Sequence, residues 1–220
     1  MHAMQDRDWA RFGNFSEGMM TFRTLTAVCL ATALASAASA APSSQDPARV
    51  PPGEYVLDKS HASLVVKVAH MGFSGYTMRF DRLGGTFTYD PAAWSTTKAT
   101  ITVDPASIST GQASFDREIA GSKFFDAGRY PAVTFVTTAL SADVEGRGQI
   151  AGDLTFHGVT RPVTLEATFN GVGPGMLGVG TRLGFSGHGR IKRSDFGVDA
   201  VSSLVGDDVD LVFEVEFTRK

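Results

Sequence analysis

Three groups of residues in this 220-residue chain could do chemistry, and each is decided by the spacing that chemistry needs. Asp58, Ser60 and His61 are the residue types of a hydrolytic triad. Neighbours in one strand point to opposite faces, so Ser60 and His61 are not expected to meet, and there is no G-x-S-x-G elbow. A polar strand end, with Asp58 or Ser60 satisfying backbone groups, is the simpler reading. Gly173 to Gly178 (GPGMLG) matches G-x-G-x-x-G, but a dinucleotide site needs a strand before the motif and a helix after it. Here a strand pattern follows, which makes the segment a flexible loop. His61, His70, His157 and His188 show neither H-x-x-x-H nor H-E-x-x-H spacing, so no metal site is expected.

Composition narrows the field further. The net charge is −3 and no basic block is present, which argues against a nucleic-acid partner. From Met20 the chain carries one basic residue, Arg23, an apolar run over Leu25 to Ala35, and Ala38-Ser39-Ala40 as an A-x-A cleavage site. That is a secretory signal peptide, too short in its apolar run for a membrane anchor. Residues 1–40 are therefore leader and signal peptide, with the functional start at Met19 or Met20. The only cysteine, Cys29, leaves with the signal; Thr-Ala-Val before it is a poor lipoprotein box. An exported chain without cysteine suits a bacterial periplasm, with no thiol chemistry and no cofactor expected.

The elements that must position any site are strands. Residues 41–52 (APSSQDPARVPP) read as a flexible linker, and 53–220 as one domain. In Ile150 to Phe169, residues Ile150, Leu154 and Phe156 share one parity, and Val163, Leu165, Ala167 and Phe169 share another after a GVTRP connection. Glu54 to Asp58, Ala62 to Ala69, Arg79 to Tyr89 (kinked at Gly84-Gly85), Lys98 to Val103, Val133 to Leu140, Thr181 to Lys192 and Asp207 to Thr218 alternate likewise. Gly171 to Gly180 reads as a link and Ser194 to Gly206 as a loop. Ser107 to Tyr130 breaks the period of two, with Ser114 or Asp116 capping a short helix through Ala120. The long, one-sidedly apolar last strand would be hazardous as a free edge, which favours a closed barrel.

The inward parities are rich in phenylalanine. Phe73, Phe80, Phe87, Phe135, Phe156, Phe169, Phe185 and Phe213 lie on strands or their margins, and Phe124 and Phe125 on the irregular insertion. A packed core and a lined tunnel give the same pattern. The segments YVLDKSHASLVVKVAHMGFSGYTMRFDRLGGTFTYDP, SKFFDAGRYPAVTF, GDLTFHGVTRPVTL and RIKRSDFGVDAVSSLVGDDVDLVFEVEF separate the two. In that order they resemble the YceI-like family of polyisoprenoid-binding proteins. The D-x-x-H pattern falls at Asp58 and His61, a second strand-end histidine at His70, G-V-T-[RK]-P-V at Gly158 to Val163, and R-x-D-F-G at Arg193 to Gly197. One window departs: where many members have R-D-x-H-L, this chain has Phe115-Asp116-Arg117-Glu118-Ile119.

The resemblance implies an all-β, extended antiparallel eight-stranded lipocalin-like barrel with a short helical insertion. It implies a non-catalytic, periplasmic carrier of a polyisoprenoid, isoprenoid quinone or other long-chain amphiphilic lipid. The expected tunnel wall is Leu64, Val66, Val68, Phe73, Phe80, Phe87, Phe124, Phe125, Val133, Phe135, Leu154, Phe156, Leu165, Phe169, Phe185 and Phe213. Polar contacts at the mouth would come from His61, His70, Asp116 and Arg117. The protein would be a monomer or homodimer touching membranes transiently. Two other readings stay open: an enzyme on a lipid-like substrate with His61 or His70 as acid or base, and a stress-protective barrel filled by its own side chains.

Overall fold

The computed structural model describes residues 43–220 apart from 144, 176 and 177. The leader, the signal peptide, Cys29 and the starts at Met19 and Met20 lie outside the described residues. Ten strands follow in chain order: β1 (Gly53–His70), β2 (Ser74–Phe80), β3 (Leu83–Tyr89), β4 (Ala99–Val103), β5 (Ile108–Ser109), β6 (Val133–Ala142), β7 (Arg147–Phe156), β8 (Val159–Pro174), β9 (Thr181–Lys192) and β10 (Val205–Arg219). One helix, α1 (Ala113–Ala120), stands between β5 and β6.

Every pairing is antiparallel. The order β10-β9-β8-β7-β6-β4-β3-β1 closes on itself because β1 also pairs with β10. That makes an eight-stranded barrel, with the long apolar last strand paired on both sides. Short β2 and β5 extend the wall beside the upper half of β1, which pairs with β3 below and β2 above. Inner positions of β10 are Val209, Leu211, Phe213, Val215 and Phe217. On its outer face, Arg190 reaches Asp210 at 2.7 Å and Lys192 reaches Asp208 at 2.9 Å. Apolar inside and charged outside on β9 and β10 is the reverse of a lipid-facing barrel wall.

Several local expectations change. Glu54 to Asp58 and Ala62 to Ala69 belong to one strand, β1, whose register against β10 shifts between Leu57 and Ala62. Arg79 to Tyr89 is two strands broken at Asp81-Arg82, because both backbone N–H groups there turn to Ser107, at its carbonyl and its hydroxyl (3.0 Å each). The connection between β7 and β8 is His157-Gly158 rather than GVTRP. Both residues have positive φ (50° and 77°), the geometry of a tight two-residue hairpin. Pro162 sits within β8 opposite Asp153, at a level where β8 has no β9 partner to receive an N–H. Gln112, not Ser114 or Asp116, is the N-cap of α1, and Asp116 instead accepts from the Thr110 N–H and hydroxyl. Gly171 to Pro174 continue β8 rather than forming a link.

The expected linker is also ordered from residue 43 onward. Ser44 and Val172 exchange two backbone hydrogen bonds of 2.8 Å. Val50 is buried, and the Tyr55 hydroxyl donates to the Pro51 carbonyl at 2.7 Å. This segment covers the end of the barrel where Tyr55 stacks on Phe87 (centroids 4.9 Å apart) and Phe217 meets Phe87 edge-on (5.0 Å). Leu183, Phe169 and Val172 complete the packed floor. A proline-rich polar string is held because its few apolar side chains and free carbonyls meet matching groups on the barrel.

Candidate functional site

Above that floor the barrel is hollow. A cavity of about 600 Å³ runs up between the strands toward α1 and the loops at the far end, within the range of about 300–1,000 Å³ usual for small-ligand sites. Leu64, Val66 and Val68 enter it from β1, Met78 and Phe80 from β2, Leu154 and Phe156 from β7, Val163 and Leu165 from β8, and Val209, Leu211 and Phe213 from β10. Each set follows the period of two that puts alternate residues inside a barrel.

The lumen stays open because large side chains fit against glycines. An added Cβ on Gly187 would come within 2.1 Å of the Phe213 ring, on Gly189 within 2.4 Å of Leu165, and on Gly152 within 2.5 Å of Phe135. These three glycines occupy inward positions, so each gives a neighbouring strand's side chain room to lie along the wall. The insertion supplies the roof. Phe125 stacks on Phe80 (6.0 Å) and meets Phe156 edge-on (5.3 Å), while Phe115 meets Tyr76 edge-on (5.7 Å).

Of the expected wall residues, fourteen line the cavity: Leu64, Val66, Val68, Phe80, Phe87, Phe124, Phe125, Val133, Phe135, Leu154, Phe156, Leu165, Phe185 and Phe213. Two do not. Phe169 lies in the packed floor, beneath Gly146 and beside Phe185 (5.5 Å). Phe73 is in the β1–β2 turn and 85 % exposed, since a turn has no inward parity to continue. Among the polar candidates, only His70 borders the cavity. Helical geometry explains Asp116 and Arg117: the inward face of α1 is Phe115, Glu118 and Ile119, at i, i+3 and i+4, so the two between them point elsewhere. That spacing, read as a helix, would have identified Glu118 and Ile119 from the sequence. Lys123 at the roof and Val209, Leu211 and Val215 of β10 also line the cavity, and the alternation of β10 carried the signal for the last three.

His61 lies outside, in a separate polar cluster. The register shift in β1 leaves Asp58 to His61 opposite Glu216 alone, and the bulge gathers side chains that a regular strand would separate. Ser60 Oγ therefore does come within 3.1 Å of His61 Nδ1, contrary to expectation. The arrangement is still not a triad. Ser60 Oγ donates to Asp58 Oδ1 at 2.6 Å, and Asp58 Oδ2 lies 2.9 Å from the same His61 Nδ1. Serine and aspartate thus share one ring nitrogen, where a triad needs one on each. Arg182 bridges Asp58 (2.9 Å) and Glu216. The Ser60 hydroxyl, with the Ser60 N–H, His61 and Arg182, holds the Asp58 carboxyl far below its ordinary range.

Arg193 closes the loop over the mouth. Its buried guanidinium donates to the carbonyls of Gly206, Val198, Ala200 and Val205 at 2.8–2.9 Å. Four carbonyl dipoles replace water around one charge and fix residues 193–206 as a loop with a defined shape. Val198, Ala200, Val201, Leu204 and Val205 from this loop complete the wall.

A family model described as YceI-like domain matches residues 55–217, the whole barrel but for the first two residues of β1 and the last two of β10. The chain belongs to the YceI-like family. A UPF0312 protein of Pseudomonas syringae pv. tomato is 35 % identical over 198 residues, covering 89 % of this chain and 97 % of that one. A UPF0312 protein of Pseudomonas putida is 36 % identical, covering 91 % and 100 %. Among solved structures, Burkholderia cenocepacia BcnA superposes with TM-score 0.64 at 27 % identity, over 73 % of this chain and 98 % of that one. The Campylobacter jejuni YCEI protein gives 0.61 at 32 %, over 70 % and 91 %. A polyisoprenoid binding domain from Saccharophagus degradans shares the fold at TM-score 0.56 and 18 % identity, over 76 % and 98 %. In this YceI-like chain the barrel is an eight-stranded closed sheet around an apolar cavity.

Proposed function

We propose that this YceI-like protein is exported to the periplasm and carries one long-chain lipid, a polyisoprenoid or a prenyl quinone, in the barrel. The observation that carries the proposal is the cavity of about 600 Å³ walled almost wholly by aliphatic and aromatic side chains. Fully burying apolar groups gains about 0.8 kcal/mol per CH₂, while association costs about 4–15 kcal/mol. A chain of several isoprene units overcomes that cost without a strong polar contact. The family supports the same reading, and its fold neighbour from Saccharophagus degradans is by its name a polyisoprenoid binding domain. Export rests on the signal-peptide pattern ending at Ala40.

A binding role suits the wall better than catalysis. Of the two histidines, His61 is outside the cavity and bonded to Asp58, and His70 stands at its rim with no titratable group hydrogen-bonded to it among the described residues. Native mass spectrometry of protein purified from the periplasm tests the proposal. The expected mass is that of a chain starting at Ala41 plus a hydrocarbon-chain ligand that leaves on solvent extraction. A ligand-free mass from every preparation would contradict it.

A further inference from the structure

The β1–β2 turn carries the most exposed large apolar side chain among the described residues. Phe73 is 85 % exposed, Met71 beside it 50 %, and Leu204 on the β9–β10 loop 45 %. The two tips are joined, since the Met71 N–H donates to the Leu204 carbonyl at 2.7 Å. Met71 and Val201 both have φ of 52°, a left-handed conformation that branched and bulky residues avoid. Folding alone would place glycine or asparagine there. Val201 and Leu204 also line the cavity, so one apolar surface runs from the outer tip over the rim and into the lumen.

From this continuity we propose that Met71, Phe73 and Leu204 form a docking tip that enters the headgroup–acyl boundary of a lipid bilayer. The inference rests on the lipid-carrier reading and adds the route by which the ligand enters. A chain that gains free energy from every buried methylene loses it again on crossing water, so transfer is fastest when rim and membrane touch. Apolar side chains projecting from a polar surface gain free energy by entering that boundary, as the apolar face of an interfacial helix does. A second copy of the chain fits less well. A stable self-interface buries about 800 Å² on each partner, and three side chains on two narrow turns fall well short of that. The three docking side chains are uncharged, so docking is expected on zwitterionic lipid as well as on anionic lipid.

The test uses the mature protein, its Phe73→Ser variant, and phosphatidylcholine vesicles carrying a dansyl-labelled polyprenol, with and without phosphatidylglycerol. Because Phe73 is exposed, the substitution leaves the fold intact. The wild type is expected to float with the vesicles and to extract the probe. Phe73→Ser should lower both vesicle partitioning and transfer rate about tenfold, the loss of one buried aromatic. Uptake of the same probe diluted from ethanol should be unchanged. Equal flotation and equal transfer in the two proteins would overturn the docking tip while leaving the carrier reading in place. If neither protein takes up probe from ethanol, the carrier reading fails and the tip with it. Should sedimentation velocity show a wild-type dimer that Phe73→Ser dissociates, the patch is a self-interface and the proposal is wrong.

Discussion

Asp58 and its neighbours show how far single residues can be read. Their types suggested chemistry, and the alternation rule correctly set a triad aside but for an incomplete reason. The rule assumes a regular strand, and β1 bulges where these residues lie. What the cluster does is hold the bulge: Asp58 accepts from Ser60 and is bridged by Arg182 to Glu216. The consequence is a pH dependence with a definite sign. Hydrogen bonds depress the folded-state pKa of Asp58 below the unfolded value of about 3.9. The folded state then binds fewer protons than the unfolded one in acid, so this stability is present above pH about 4 and is lost as pH falls through the folded pKa. Urea titrations of wild type and Asp58→Asn are expected to differ at neutral pH, with the gap closing as pH falls from about 4 toward 2. A gap that widens in acid would rule this role out. His70, which the family resemblance implied for the mouth, borders the cavity because it continues the inward parity of Leu64, Val66 and Val68. Asp116 and Arg117 do not, because their orientation depends on where α1 begins.

At the scale of elements, long alternating runs were legible and the joints between them were not. β9 has the bounds its alternation implied, since every second residue must face the lumen. The β2–β3 break depends on Ser107, which captures two N–H groups from 25 or more residues away. No local pattern announces such a partner. The expected GVTRP connection starts one residue and ends four residues later than the observed turn, because Pro162 is barred only from a rung that needs its N–H, and none does here. The observed turn, His157-Gly158, has a strict requirement at Gly158, where φ is 77° and an added Cβ would sit 2.5 Å from the Tyr130 ring. Gly158→Ala is expected to lower stability by about 2 kcal/mol from the left-handed backbone alone, and more where Tyr130 must shift. The measurement is the urea midpoint at unchanged slope. An unaltered midpoint would mean that the turn tolerates a different geometry.

For the whole molecule, closure of the sheet was inferable from a last strand too apolar to be an edge, and the count of eight strands came with the family resemblance. Whether the barrel is full or hollow was not inferable, because inward phenylalanines serve either state. The difference lies in the glycines opposite them, Gly152, Gly187 and Gly189, which let Phe135, Phe213 and Leu165 lie flat. The ordered N-terminal segment was hidden too, since its contacts are made with groups far along the chain. Cavity, floor and mouth together amount to a one-ended container for something long and apolar. The most direct measurement of that claim is a titration with prenyl alcohols of increasing length, against wild type and a Leu165→Asp variant whose fold is checked by circular dichroism. Leu165 faces the lumen from β8, and a charge there removes the apolar environment the chain needs. The account predicts that wild-type affinity rises with chain length, up to roughly fourfold per buried methylene, until the cavity is full, and that Leu165→Asp abolishes binding while remaining folded. Affinity independent of chain length, or a folded Leu165→Asp variant that binds as well as wild type, would contradict it.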